Sequence, residues 1–312
     1  MALHPQLKEL LGQFEEAGVP PFDQMTVLQA REAVAAFADL EGEPEDVAEV
    51  RDILVPGAAG EIPARVYHPA PGTDLPVLVY FHGGGWVVGD LAVADKPCRS
   101  LSAGAHVVVV SVQYRKSPET PYPGPVEDCY AAFAWIATKA SELGGDPSQI
   151  VVAGDSAGGN LAAVVALMSR DRGGPSIAFQ VLLYPVTAPA RGTEFASYSD
   201  NADGYLLTRG SMEWFWDHYL SDPEQSTEPY ASPLLAEDLA GLPPAIVVTC
   251  EFDPLRDEGR AYAQRLAAAG VEVTHSDYAG AIHAIYWLAG VSDLGRDLHA
   301  EVAEAVRVRV SA

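Results

Sequence analysis

The first 50 residues repeat apolar side chains at helical spacing. Leu7, Leu10, Leu11 and Phe14 fall at i, i+3, i+4 and i+7, and Val27, Ala30, Val34 and Phe37 renew the stripe after Pro20 and Pro21. The spacing predicts two short helices. The acidic run that follows, with Glu41, Glu43, Glu45, Asp46 and Glu49, reads as a solvated face and connector. From about residue 64 the pattern changes to short, β-branched apolar runs: PVLVYFH, HVVVVSVQY, IVVAG, FQVLLYP, AIVVTC and VEVTHSDY. Helical stretches such as 126–140 and 161–170 alternate with them. Strands that are apolar at nearly every position are buried on both faces, so the alternation predicts an α/β fold with a mostly parallel sheet and helices on both faces. Ligands on such sheets bind at the carboxyl ends of the strands. The chemistry is therefore expected in the segments that directly follow the apolar runs. Residues 187–235 break the alternation: they contain no convincing strand, and Met212, Phe215, Trp216 and Tyr219 share one helical face. This stretch predicts a helical insertion that folds over the strand ends. The expected organisation is N-terminal cap helices in 1–50, a first part of the core in 51–186, a cap insertion in 187–235 and the rest of the core in 236–312.

Composition narrows the function. The 312 residues are 48% hydrophobic and 20% charged, which suits a globular chain with a sizeable core. Against 43 Asp and Glu there are 19 Lys and Arg, a formal net charge of −24 at pH 7. That balance excludes a nucleic-acid partner and a basic membrane anchor, both of which need clustered cations. Cys98, Cys129 and Cys250 stand at wide spacings that fit neither a disulfide framework nor a zinc cluster, and read as buried apolar residues. No His, Asp or Glu cluster has metal-ligand spacing. The N-terminal stretch lacks a cationic start and apolar run, and no apolar stretch is long enough to cross a bilayer. A cytoplasmic protein is the expectation.

The strongest chemical signal is IVVAGDSAGGNLAAVVAL, residues 150–167. An apolar strand runs into Gly154-Asp155-Ser156-Ala157-Gly158 and straight out into an apolar helix, the context of a nucleophile elbow. Glycines on either side let strand and helix approach without collision. The Ser156 hydroxyl then projects over the sheet, with the Ala157 amide at the helix N-terminus aimed at a developing oxyanion. A second signal, His82-Gly83-Gly84-Gly85-Trp86, follows the run PVLVYFH. Three glycines leave backbone N–H groups unshielded, as an oxyanion hole needs. A nucleophilic serine also needs a base and an orienting carboxylate, in the chain order Ser, Asp or Glu, His for this fold. Asp253 follows the strand AIVVTC in a loop, with Glu251 as the rival carboxylate. Asp257 and Glu258 read as solvated carboxylates in the first turn of the next helix. His283 lies past a glycine turn beyond the strand VEVTHSDY and is the expected base. His275 lies inside that strand and reads as packed or surface, and His82 reads as orienting its own loop.

These residues resemble the hormone-sensitive-lipase-like family of α/β-hydrolases, the bacterial family IV carboxylesterases. The resemblance runs from about Pro76 to Tyr286 and includes Tyr114-Arg115-Lys116-Ser117-Pro118-Glu119, GYLLT at 204–208, SPL at 232–234, LPP at 242–244 and DPLRDEG at 253–259. It implies an α/β-hydrolase fold with a helical cap, Ser156 as nucleophile, Asp253 as orienter and His283 as base. It also implies an oxyanion hole made by the amides of Gly84, Gly85 and Ala157, short-chain acyl ester substrates, frequent homodimers, and no cofactor or metal. The chain departs from the family's usual pattern at His283-Ala284-Ile285, where His-Gly-Phe is common, and at YRKSPE in place of YRLAPE. Both changes bear on the shape of the pocket. Trp86, Tyr205, Trp214 and Phe215 are the aromatic candidates for its lining, with cap core as the competing role, and Asp155 and Ile285 complete the candidates. An amidase or deacetylase would use the same triad. A non-catalytic receptor on this fold lacks the histidine that this chain has as His283.

Overall fold

The computed structural model describes residues 2–192 and 195–310. Eight strands form one sheet: β1 Glu49–Gly57, β2 Gly60–His68, β3 Leu75–Phe81, β4 Val108–Val112, β5 Gly145–Asp155, β6 Phe179–Leu183, β7 Ala245–Phe252 and β8 Val273–Ile282, in spatial order β1-β2-β4-β3-β5-β6-β7-β8. The pairs β1·β2 and β2·β4 are antiparallel, and all others are parallel. The expected α/β-hydrolase architecture is therefore present. The helices are α1 Pro5–Glu16, α2 Val27–Ala35, α3 Asp95–Ala105, α4 Gly124–Lys139, α5 Ala157–Asp171, α6 Ser197–Asp200, α7 Arg209–Tyr219, α8 Arg256–Ala268 and α9 Asp293–Val310. None of them is long and apolar enough to cross a membrane.

The six inner and far strands are the apolar runs of the sequence. β3 and β4 are buried at almost every position because helices cover both faces. The antiparallel hairpin β1·β2 carries no such run. It sits at the sheet edge, where Arg51, Asp52, Glu61 and Arg65 face water, so its sequence alternates and is interrupted by Pro56 and Pro63.

The acidic connector needs two corrections. Glu49 is the first residue of β1, and Glu41 is only 5% exposed, with neither carboxylate oxygen hydrogen-bonded. Burial pushes the Glu41 carboxyl up to about 9.

Strand order positions the site. The chain leaves β3 towards β4 on one side and pairs with β5 on the other, so the loops after β3 and β5 open side by side. Phe81 pairs with Gly154 in register, which sets His82-Gly83-Gly84-Gly85 against the turn holding Ser156. At the far end Phe252 pairs with Ile282, which brings Asp253 and His283 together.

The segment between β6 and β7 forms the inserted helical region with α6 and α7, although Thr193 and Glu194 lie outside the described residues. It meets the N-terminal helices above the strand ends. The Phe22 amide donates to Ser211 Oγ at 3.2 Å, and the rings of Phe22 and Phe215 lie 5.1 Å apart. Two buried polar groups tie the insertion to the core. Asn160 Nδ2 donates to the carbonyls of Val186 and Ala231, closing both of its ends onto α5. Glu258 accepts from the amides of Thr187 and Ala188 and from the Tyr198 hydroxyl. Glu258 is thus fully buried rather than solvated, and burial raises its carboxyl to about 8 against the pull of those three donors.

Candidate active site

The turn after β5 is strained. Ser156 has φ 54° and ψ −119°, outside the comfortable regions for an L-residue, and stands between β5 and the first residue of α5. The flanking glycines are steric requirements. A β-carbon on Gly154 would lie 2.2 Å from the Gly158 carbonyl oxygen, and one on Gly158 would lie 1.9 Å from that of Phe81. Ala157 begins α5, so its N–H belongs to the first turn and has no partner within the helix.

Ser156, His283 and Asp253 meet from three different strand ends. Ser156 Oγ lies 2.9 Å from His283 Nε2, and His283 Nδ1–H donates to Asp253 Oδ2 at 2.7 Å. That second bond fixes the tautomer and leaves Nε2 free to take the serine proton. Asp253 is fully buried and its other oxygen accepts the Leu255 amide at 2.9 Å, so the carboxylate cannot rotate away from the histidine. The rival Glu251 accepts the Gly280 amide instead, within β8 three residues before His283.

The glycine loop after β3 is held from beneath. Asp155 Oδ1 accepts both the Gly83 amide at 2.9 Å and the Tyr80 hydroxyl at 2.6 Å. Burial raises the Asp155 carboxyl to about 6, opposed by those two bonds. His82 is fully buried, its Nδ1–H donates to the Gly83 carbonyl at 2.8 Å, and its ring stacks on Tyr114 at 4.5 Å. Burial lowers His82 to about 4, so it is neutral near pH 7 and serves the loop as a donor. The YRKSPE segment supports the same loop from outside. Tyr114 donates to the His82 carbonyl, Lys116 to that of Gly89, and Glu119 pairs with Arg31, whose Nε reaches the Val87 carbonyl.

Above Ser156 lies a small apolar cavity of about 50 Å³, bounded by the glycine loop, the insertion and the N-terminal helices. Gly84, Gly85, Asp155 and Phe215 line it, together with Ser156 and His283. The other pocket candidates stand elsewhere. Trp86 is fully buried in the cap core, stacked on Tyr219 with ring centroids 3.9 Å apart and planes at 4°. Tyr205 packs on Phe252, Trp214 on His218, and Ile285 is buried under the histidine loop. Trp86 and Ile285 are packed in the core, where a bulky side chain buries the most apolar area, whereas Tyr205 and Trp214 are half-buried and stand outside the lining of this cavity.

The lining instead includes Phe22, Phe37, Leu206, Leu207, Met212 and Trp287. Phe37 and Met212 lay on the helical stripes, but nothing in the stripes distinguished a cavity wall from core. Among the described residues no group of His, Cys, Asp or Glu is placed to hold a metal ion.

Comparison with known proteins agrees with this geometry. The model of the alpha/beta hydrolase fold family matches residues 78–287. The carboxylic ester hydrolase LipN of Mycobacterium tuberculosis is 42% identical over 294 residues, covering 91% of this chain and 77% of that protein. The hyperthermophilic esterase of Pyrobaculum calidifontis superposes with a TM-score of 0.94 at 41% identity, over the full length of both chains. The ester-hydrolase EH1AB1 from the metagenome of Lake Arreo, solved with a bipyridine phosphonate derivative, superposes with a TM-score of 0.95 at 40% identity, over 99% of this chain and 100% of that one. Relatedness and the aligned Ser156, His283 and Asp253 lead to one conclusion: this chain belongs to the α/β-hydrolase family, among the bacterial carboxylesterases, and is a serine hydrolase of ester substrates.

Proposed function

We propose that the chain hydrolyses short-chain acyl esters of uncharged substrates through an acyl-enzyme. The observation that carries this reading is the small apolar cavity directly over an assembled triad. His283 Nε2 takes the Ser156 proton as Oγ attacks the ester carbonyl. The amides of Gly84, Gly85 and Ala157 receive the oxyanion, and each such donor is worth about 2.7–4 kcal/mol in the transition state. His283 then protonates the leaving alcohol. Water enters, loses a proton to the same nitrogen and releases the acid, while Asp253 stabilises the imidazolium throughout. Asp155 acts through the loop: by gripping the Gly83 amide it keeps the next two amides in place.

An acyl-length series of p-nitrophenyl esters tests the substrate class. Highest kcat/KM from acetate to hexanoate is expected, and a maximum at long-chain esters overturns it. A fluorophosphonate probe should label the protein and should fail to label Ser156→Ala.

The net charge of −24 supports a preference for neutral esters and the ready expulsion of carboxylate products. A neutral ester should outpace its carboxylate-bearing analogue at low salt, with the gap narrowing at high salt. The same charge argues against a nucleic-acid partner. A homodimer, by the family resemblance, belongs to the proposal and is tested by light scattering of the purified protein. A cytoplasmic location, which suits three buried unpaired cysteines, is tested by cell fractionation.

A further inference from the structure

The residue after the catalytic histidine has a backbone conformation that L-residues avoid. Ala284 has φ 63° and ψ 17°, in the left-handed region, and its carbonyl accepts the Trp287 amide at 2.9 Å to start the short 3-10 turn Ile285–Trp287. Glycine would occupy this position without strain. Alanine instead adds a methyl group at a residue that lines the cavity over Ser156 beside His283, and Trp287 and Phe37 line the same cavity. The rings of Phe37 and Trp287 lie 6.4 Å apart edge to face, so the two pack on one another. The insertion contributes Leu206, Leu207, Met212 and Phe215 to the same lining, with Phe215 packed on Phe22.

The proton path tells two parts of this lining apart. His283 Nε2 must come within hydrogen-bond reach of the leaving oxygen to protonate it. The carbon chain of the alcohol therefore continues from a point beside His283, and the wall beside His283 bounds it. The acyl chain leaves the carbonyl carbon in another direction, so the lining away from His283 bounds it. We infer that the Ala284 methyl, backed by Trp287 and Phe37, sets the size of the alcohol the enzyme accepts, independently of the acyl chain. This inference rests on the ester-hydrolase reading and deepens it.

Two substitutions share the backbone benefit and oppose each other in volume. Ala284→Gly removes the methyl. Ala284→Asn enlarges the side chain, and asparagine is among the residues that tolerate the left-handed region. Neither is expected to lower the melting temperature. The measurements are kcat/KM for methyl, isopropyl and benzyl acetate, a constant acyl group, and for ethyl acetate, butanoate and hexanoate, a constant alcohol. For Ala284→Gly the benzyl-to-methyl ratio should rise at least threefold, and for Ala284→Asn it should fall at least threefold. The hexanoate-to-acetate ratio should stay within twofold in both. Movement of the acyl ratio instead, movement of the alcohol ratio in the same direction for both variants, or no movement of either overturns the assignment. If the unmodified protein turns over neither series, the ester-hydrolase reading itself fails, a result distinct from altered ratios among active variants.

Discussion

The floor of the active site is built of backbone, and its roof is built of side chains. On the floor, Gly154 and Gly158 permit contacts that no β-carbon survives, and Ser156 is held in a conformation its residue type disfavours. On the roof, Phe22, Phe37, Met212, Phe215 and Trp287 close the cavity from three separate segments, with ordinary packing contacts and few polar bonds. Backbone geometry constrains residue type at each position, whereas apolar packing asks for little more than suitable volume and tolerates exchange. Changes to the floor should therefore cost orders of magnitude in rate, and changes to the roof should redirect specificity.

The largest effect is expected at the nucleophile. Ser156→Ala should lower kcat by at least about 10⁴-fold while leaving the melting temperature within a few degrees. Residual activity within tenfold of the parent would remove Ser156 from the chemistry and erase the distinction between floor and roof.

Gly158→Ala should be as damaging to activity and, unlike the serine change, should also destabilise. Its β-carbon would press on the Phe81 carbonyl at 1.9 Å, so α5 has to shift, at roughly 3 kcal/mol or more in chemical unfolding.

Asp155 separates positioning from chemistry. Asp155→Ala leaves the Gly83 amide and the Tyr80 hydroxyl without their acceptor and should lower kcat by about 10²-fold with little change in KM. Asp155→Asn keeps a carbonyl oxygen in place and should recover most of that loss. Equal damage from both variants would mean that the charge matters and the tether does not.

On the roof, Phe215→Ala should move the preferred acyl chain to greater length, raising the octanoate-to-acetate ratio by about tenfold. The substitution also frees the space above Gly85, whose added β-carbon would lie 2.1 Å from the Phe215 ring.

The smallest effect is thermodynamic and lies beyond both walls, at Glu41. Its folded carboxyl, near 9, lies above its ordinary value of 4.5, so the folded chain holds a proton that the unfolded chain releases as pH rises from 4.5 to 9. Stability linked to this group is full below pH 4.5 and is lost through that window. Glu41→Gln should accordingly stabilise at pH 8 by roughly 1–3 kcal/mol, with the gain vanishing near pH 4.5. A gain independent of pH would point to packing instead.

Legibility followed the same division. The elbow, the glycine loop and Asp253 could be read because each stands directly after an apolar run, and His283 because it follows a strand and a glycine; register then aligned the pairs Phe81 with Gly154 and Phe252 with Ile282. The β1·β2 hairpin was not read, since an edge strand carries a mixed pattern. Glu41 and Glu258 were misread as solvated because charge in a sequence implies exposure until an element from elsewhere covers it. For Glu258 that cover is the root of the insertion, some seventy residues away. Trp86 stood between pocket lining and cap core, and its left-handed backbone, φ 61°, accompanies a ring stacked on Tyr219.

The sequence by itself determined the reaction. A strained turn, an exposed run of amides and a histidine after a strand end are local devices, and local devices leave local patterns in composition and spacing. Only the tertiary structure decided the cavity, the loop tether at Asp155 and the residues that close the cavity over Ser156. Each of these arises where segments remote in sequence meet, and the energy of such meetings depends on volume and on desolvation, neither of which is encoded in the order of residues along any one segment.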